Sequence, residues 1–244
     1  MRDALRHFFA EFIGIFALVY VGGGAVMMAQ QGAGNLLTVA IAHGVVYGVL
    51  VTATLRISGH FNPAVTIGFL VTRRIQPMMA ALYVVAQLVG AMAAAYLLKV
   101  TFPAEIFAAA RGTTSSIALA IDGGQAFLIE ALATFFLVFA IFGTAVDPQA
   151  PKLGGLAIGL IVIADMLAFA PLTGASLNPA RTFGPAVASA IYEGQVVYWT
   201  GPSVGAVIAA VLYDQLFLPR APEEPGSGAV QPQPGRGARR EHAV

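Results

Sequence analysis

Thr173-Gly-Ala-Ser-Leu-Asn-Pro-Ala-Arg-Thr-Phe-Gly-Pro185 is a polar, Gly/Pro-broken stretch inside hydrophobic sequence. It has a partner upstream, Ile57-Ser-Gly-His-Phe-Asn-Pro-Ala-Val-Thr-Ile-Gly-Phe69. Both carry Asn-Pro-Ala, as Asn62-Pro63-Ala64 and Asn178-Pro179-Ala180. In each, a glycine follows six residues after the asparagine, Gly68 and Gly184. Asn is a favoured N-cap, and Pro fits the first helical position because its missing N–H is not needed there. Each triplet therefore predicts the start of a short helix. The apolar run after Pro63 ends at Arg73-Arg74, too short to cross a bilayer, so each segment is a candidate re-entrant half-helix.

The surroundings fit a membrane. The chain has 244 residues, 58% hydrophobic and 10% charged, with a mean hydropathy of +0.79. A soluble domain carries about 25% charged residues. Long apolar runs predict six spans: Phe8–Met28, Thr38–Leu55, Pro77–Leu98, Gln125–Val146, Leu153–Phe169 and Gln195–Leu218. The basic start Arg2 to His7 resembles a signal peptide, but the run that follows is long enough to span. Residues 99–124 read as a long loop, residues 1–218 as one channel domain, and the Pro/Gly/Glu/Arg-rich residues 219–244 as a disordered tail. A net charge of +1 gives no electrostatic case for nucleic acid, and the absence of cysteine excludes disulfides and thiol chemistry.

Six spans put both termini on one side. That side receives Arg2, Arg6, Arg56, Arg73, Arg74, Lys152, Arg220 and the tail arginines, against Lys99 and Arg111 on the other. The positive-inside bias predicts cytoplasmic termini in a cell (plasma or inner) membrane. The two halves, about 8–98 and 125–218, resemble each other: Glu11 matches Glu130, Phe16 matches Phe135, and Gly44 matches Gly159. Three spans per half is odd, so the halves are inverted across the bilayer. The expected class is an all-α membrane protein, with six transmembrane helices and two re-entrant half-helices in an inverted repeat.

Opposed half-helix N-termini each present free N–H groups and about half a positive charge, so a neutral molecule passes where a cation is opposed. Asn62 and Asn178 add amide donors at the same point. Arg181, inside the apolar region, is costly and by default functional; its repeat partner is Val65. Glu11 and Glu130 read as acceptors that hold the re-entrant loops, with a proton relay as the alternative. Asp165 is open between facing the pore and pairing with Arg181 or His43. The four histidines, His7, His43, His60 and His242, are scattered, and no metal-ligand cluster or nucleophile–base pair stands out. No cofactor or metal is implied, and an enzyme is the weakest reading.

The doubled Asn-Pro-Ala, Ser58-Gly59 before the first and Arg181 after the second resemble the aquaporin (major intrinsic protein) family, over nearly the whole chain to Pro219. The resemblance implies a homotetramer with one pore per subunit, conducting water and excluding protons and ions. It implies a filter of His43, Met166, Ala175 and Arg181, with Met166 twelve and Ala175 three residues before Asn178. The first loop is one residue short: Gly44 to Asn62 is 18 positions, Gly159 to Asn178 is 19. Counting from the loop puts Ala42 in the filter; counting by helix puts His43 there, the preferred reading because loops lose residues more easily than packed helices. Tyr198-Trp199 and Thr182 resemble water-selective members. The His-aliphatic-small-Arg filter also resembles that of plant vacuolar members associated with ammonia, so a facilitator of ammonia, glycerol or another small neutral solute is the alternative. A proton-coupled carrier, motivated by Glu11, Glu130 and Asp165, is the different-class alternative.

Overall fold

The computed structural model describes residues 2–151 and 153–219. The expected tail from residue 220 onward lies outside the described residues, as does Lys152. The helices are α1 (Arg2–Gln30), α2 (Leu36–Thr54), α3 (Pro63–Val71), α4 (Pro77–Thr101), α5 (Ala104–Ala109), α6 (Gly123–Ile141), α7 (Leu156–Thr173), α8 (Pro179–Ser189) and α9 (Gln195–Leu216). A π-turn, Phe142–Val146, continues α6. Six of these helices are long and apolar enough to cross a membrane. With nine residues, α3 is only about 14 Å long, less than half the ~30 Å hydrocarbon thickness. The chain is a multi-pass membrane protein of the expected class.

The largest departures from expectation are at the start of α1, the end of α7 and the loop 99–124. The first helix begins at Arg2 rather than Phe8, because nothing in the charged first turn breaks a helix. The fifth runs on to Thr173, past the expected end at Phe169. Pro171 removes one hydrogen bond, but the helix stops only at Gly174, whose φ of +80° suits the left-handed C-cap that glycine adopts without strain. The long loop 99–124 folds locally into α5 and a single 3-10 turn, Arg111–Thr113.

The repeat is visible in the packing. Within each half the first helix packs on the last, α1 on α4 and α6 on α9. Each half-helix sits against the last helix of the other half, α3 on α9 and α8 on α4. The halves thus exchange their re-entrant elements across the pseudo-two-fold axis. At the α2–α7 crossing the backbones touch: a Cβ on Gly44 would meet the carbonyl of Gly159, and one on Gly159 the carbonyl of Gly44. With lipid tails as apolar as the side chains, such close approach supplies the dispersion energy that joins helices in a bilayer. Large apolar side chains such as Ile13, Val45, Val49, Leu128 and Leu160 point outward. That is the reverse of a soluble protein and fits a lipid-facing surface.

Candidate functional site

Asn62 and Asn178 each cap a half-helix from an extended conformation, φ −157° and −151°. A residue before proline is pushed into that region. The Asn62 side-chain oxygen accepts from the Ala64 N–H at 2.8 Å. The Asn178 oxygen accepts from the N–H groups of Ala180 at 3.0 Å and Arg181 at 3.2 Å. The amide nitrogens cross between the loops: Asn62 Nδ2 donates to the Leu177 carbonyl at 2.7 Å, and Asn178 Nδ2 to the Phe61 carbonyl at 2.8 Å. This reciprocal pair ties the two half-helix N-termini together. One N–H of each amide remains beyond the bond between the loops.

The residue before each asparagine has positive φ, Phe61 at 51° and Leu177 at 55°. Such a conformation costs a non-glycine residue about 1–3 kcal/mol and persists only where its surroundings over-determine it. Glu11 and Glu130 do so here. Glu11, fully buried, accepts from the N–H groups of His60 at 2.9 Å and Phe61 at 2.7 Å, from Gln87 Nε2 at 2.6 Å and from the Ser58 hydroxyl. Glu130 accepts from the N–H groups of Ser176 at 2.9 Å and Leu177 at 2.8 Å. Both carboxylates hold the residues one and two before the asparagine, so the symmetry extends to single hydrogen bonds.

One turn outward lies Arg181. Its Nη1 donates to Ser115 Oγ at 2.9 Å and to the Gly174 carbonyl at 3.3 Å, and its Nη2 donates to His43 Nε2 at 3.3 Å. His43 Nδ1 lies 2.9 Å from the Val39 carbonyl, which only accepts, while the guanidinium only donates. The two partners together fix a neutral ring with its proton on Nδ1. His43 is buried, and with Met166, Ala175 and Arg181 it lines a central cavity of about 20 Å³ that also includes Asn62 and Asn178. About 10–15 Å³ of such space holds one water, so this is a single-file volume. Ala42 does not line it. The cavity continues outward through Met166 and Arg181 into a mouth of about 430 Å³. On the opposite side, an inner vestibule of about 240 Å³ is lined by Ser58, His60, Arg74 and Tyr83.

Asp165 does not line the central cavity and bonds neither Arg181 nor His43; its Oδ2 is buried without a hydrogen-bond partner. Asp214 pairs with Arg74 at 2.7 Å and ties the end of the α3 loop to α9. The sequence reading missed two groups. Ser115 comes from a loop with no periodicity, and only the polar run Thr113 to Ser116 hints at it. Tyr47 and Val162 line the cavity one helical turn from His43 and Met166, a phase that the sequence does contain.

Comparison with known proteins agrees with this geometry. The family model described as Major intrinsic protein matches residues 1–213. The chain is 40% identical to maize (Zea mays) Aquaporin TIP4-4, over 91% of this chain and 90% of the relative. It is 38% identical to Arabidopsis thaliana Aquaporin TIP2-1, over 88% of each. Its fold is that of the aquaglyceroporin from Plasmodium falciparum, at TM-score 0.78 and 24% identity, covering 87% of this chain and 96% of that one. The bonded pair of Asn-capped half-helices, reached from both sides of six spans, therefore has a family: the chain belongs to the major intrinsic proteins.

Proposed function

We propose that residues 1–218 form a passive channel that conducts water along osmotic gradients and excludes protons and ions. The observation that carries this reading is the reciprocal bond between Asn62 and Asn178 at the mouths of two opposed half-helices. Each helix brings about half a positive charge to that point, and the two add because they face one another. A water there accepts from the spare amide N–H groups and turns its oxygen towards them. It cannot then donate along the file in the sense a proton hop requires, and a cation is opposed by the field. His43, Met166, Ala175 and Arg181 act as the outer filter, with Arg181 adding a full positive charge. The carboxylates of Glu11 and Glu130 serve as loop anchors, since backbone donors occupy them; this disfavours a proton-coupled carrier. The two sequence relatives named above are called aquaporins, which supports a water channel. Reconstituted protein is expected to speed osmotic shrinkage of liposomes in stopped flow by at least tenfold. A rate equal to that of empty liposomes contradicts the reading.

The chain assembles as a homotetramer in the cell (plasma or inner) membrane with both termini cytoplasmic. Family membership supports the tetramer, and the arginines at the inner ends of the spans support the cytoplasmic termini. Chemical cross-linking in membranes is expected to stop at four subunits; a limit of one or two rules this out.

A further inference from the structure

The two sides of the asparagine junction differ. Outward, the central cavity and the mouth share Met166 and Arg181. Inward, the central cavity and the vestibule have no lining residue in common. Instead, each of three helices steps from one to the other by a single turn. These steps are Tyr47 to Val51 on α2, Leu137 to Ile141 on α6, and Val162 to Ile158 on α7. A layer about 6 Å thick therefore separates the two spaces.

Tyr47 bridges that layer. Its ring is buried and lines the central cavity beside Asn62, while its hydroxyl donates to the carbonyl of His60, a residue of the vestibule wall, at 2.7 Å. The ring packs edge-on against Phe61, with centroids 5.8 Å apart at 80°. The hydrogen bond at one end and the Phe61 contact at the side fix where the ring stands. The matched position in the other half of the repeat carries no such side chain. Matching Gly44 to Gly159 pairs Tyr47 with Val162, which is smaller and has no hydroxyl to reach the carbonyl of Ser176, the counterpart of His60. The half with the bulky residue is also the half whose loop is one residue short.

The geometry points to Tyr47 as a specificity-determining residue of the inner half-pore, a second constriction in series with the Arg181 filter. This rests on the channel reading above. The ring excludes solutes as bulky as glycerol while leaving room for water and flat, narrow molecules, and the bond to His60 holds it in place. A channel with this arrangement rejects a molecule such as glycerol twice by width, at Arg181 and again at Tyr47.

Barriers in series require a test with the outer one opened. In liposomes carrying Arg181→Val, adding Tyr47→Val is expected to raise glycerol permeability at least fivefold over Arg181→Val alone. Adding Tyr47→Phe, which keeps the ring, leaves it within twofold. The chain has no cysteine, so Tyr47→Cys provides a direct probe of the lumen. A mercuric ion replaces the thiol proton, forms an S–Hg bond and plugs the file. Water conduction by Tyr47→Cys is expected to fall at least fivefold with mercury and to recover with excess thiol, while wild type and Ala42→Cys are unaffected. Tyr47→Leu carries the glycerol measurement if Tyr47→Val conducts no water, which would signal misfolding. Conducting variants with unchanged glycerol flux, or mercury-insensitive conduction by Tyr47→Cys, overturn the constriction. Failure of the wild type to conduct water overturns the channel reading instead, so the two failures are distinct.

Discussion

Replacing Glu11 with Ala is expected to abolish water conduction and to lower the yield of folded protein, with Glu130→Ala close behind. Glu11 is the acceptor for two backbone N–H groups, Gln87 and Ser58 at once, and Glu130 for two backbone N–H groups. A buried donor that loses its partner costs about 1–3 kcal/mol, and no water in the bilayer core replaces it. Two stranded N–H groups alone reach about 2–6 kcal/mol, comparable to a typical domain's whole stability of about 5–15 kcal/mol. The loops also hold Phe61, Ala175 and Leu177 at positive φ, and that strain is released once the carboxylate no longer opposes it. Glu130→Gln separates anchoring from proton relay. Gln keeps one oxygen but turns an NH₂ towards a backbone N–H, so anchoring predicts a large loss of conduction at every pH. A relay predicts intact water flow and a lost pH dependence. Hydrogen exchange at the amides of 174–178, faster in Glu130→Ala, reads the loop directly.

Arg181→Val is expected to keep water conduction and to raise urea permeability at least tenfold. An arginine in the membrane interior costs about 2.5–3.5 kcal/mol on insertion scales, and the substitution removes that cost. Against this, Ser115 Oγ, the Gly174 carbonyl and His43 Nε2 each lose a donor, but the first two border the outer mouth and His43 the central cavity, so water can re-solvate them. The variant therefore folds. What changes is the filter, which loses a full charge and most of one wall. Urea is narrow and planar, so the Tyr47 layer admits it where glycerol is held back. Parallel stopped-flow traces with impermeant osmolyte and with urea read the two quantities. A urea rate unchanged from wild type removes Arg181 from the filter.

The architecture was legible because membrane physics makes it so. Apolar runs of fixed length cannot be much else, and a doubled Asn-Pro-Ala flanked by runs too short to cross has few structural solutions. The parity of three spans per half then forces the inversion. The site was legible in part. Met166, Ala175 and Arg181 lie at fixed counts from Asn178, on a loop of unaltered length. His43 was ambiguous by one residue, because the shortened first loop breaks the count from Asn62. In the structure His43 Nε2 meets Arg181 and lines the central cavity, whose lining does not include Ala42. Ser115 was not readable, because its contact with Arg181 spans 66 residues and begins in a loop without pattern. The cross-bonding of each asparagine to the other loop's carbonyl was not readable either, since the caps alone account for both asparagines locally. Tyr47 was within reach, one turn from His43, but an aromatic at that spacing reads first as core.

The two opposed half-helices must let water through while stopping protons. Liposomes carrying the protein and an internal pH dye test it in a single preparation. Osmotic shrinkage and the decay of an imposed pH gradient, with counter-ion movement permitted, are followed on the same vesicles. Water flux at least tenfold above that of empty liposomes is expected, with proton flux equal to theirs. Proton flux that rises with the amount of protein, in step with water, contradicts it.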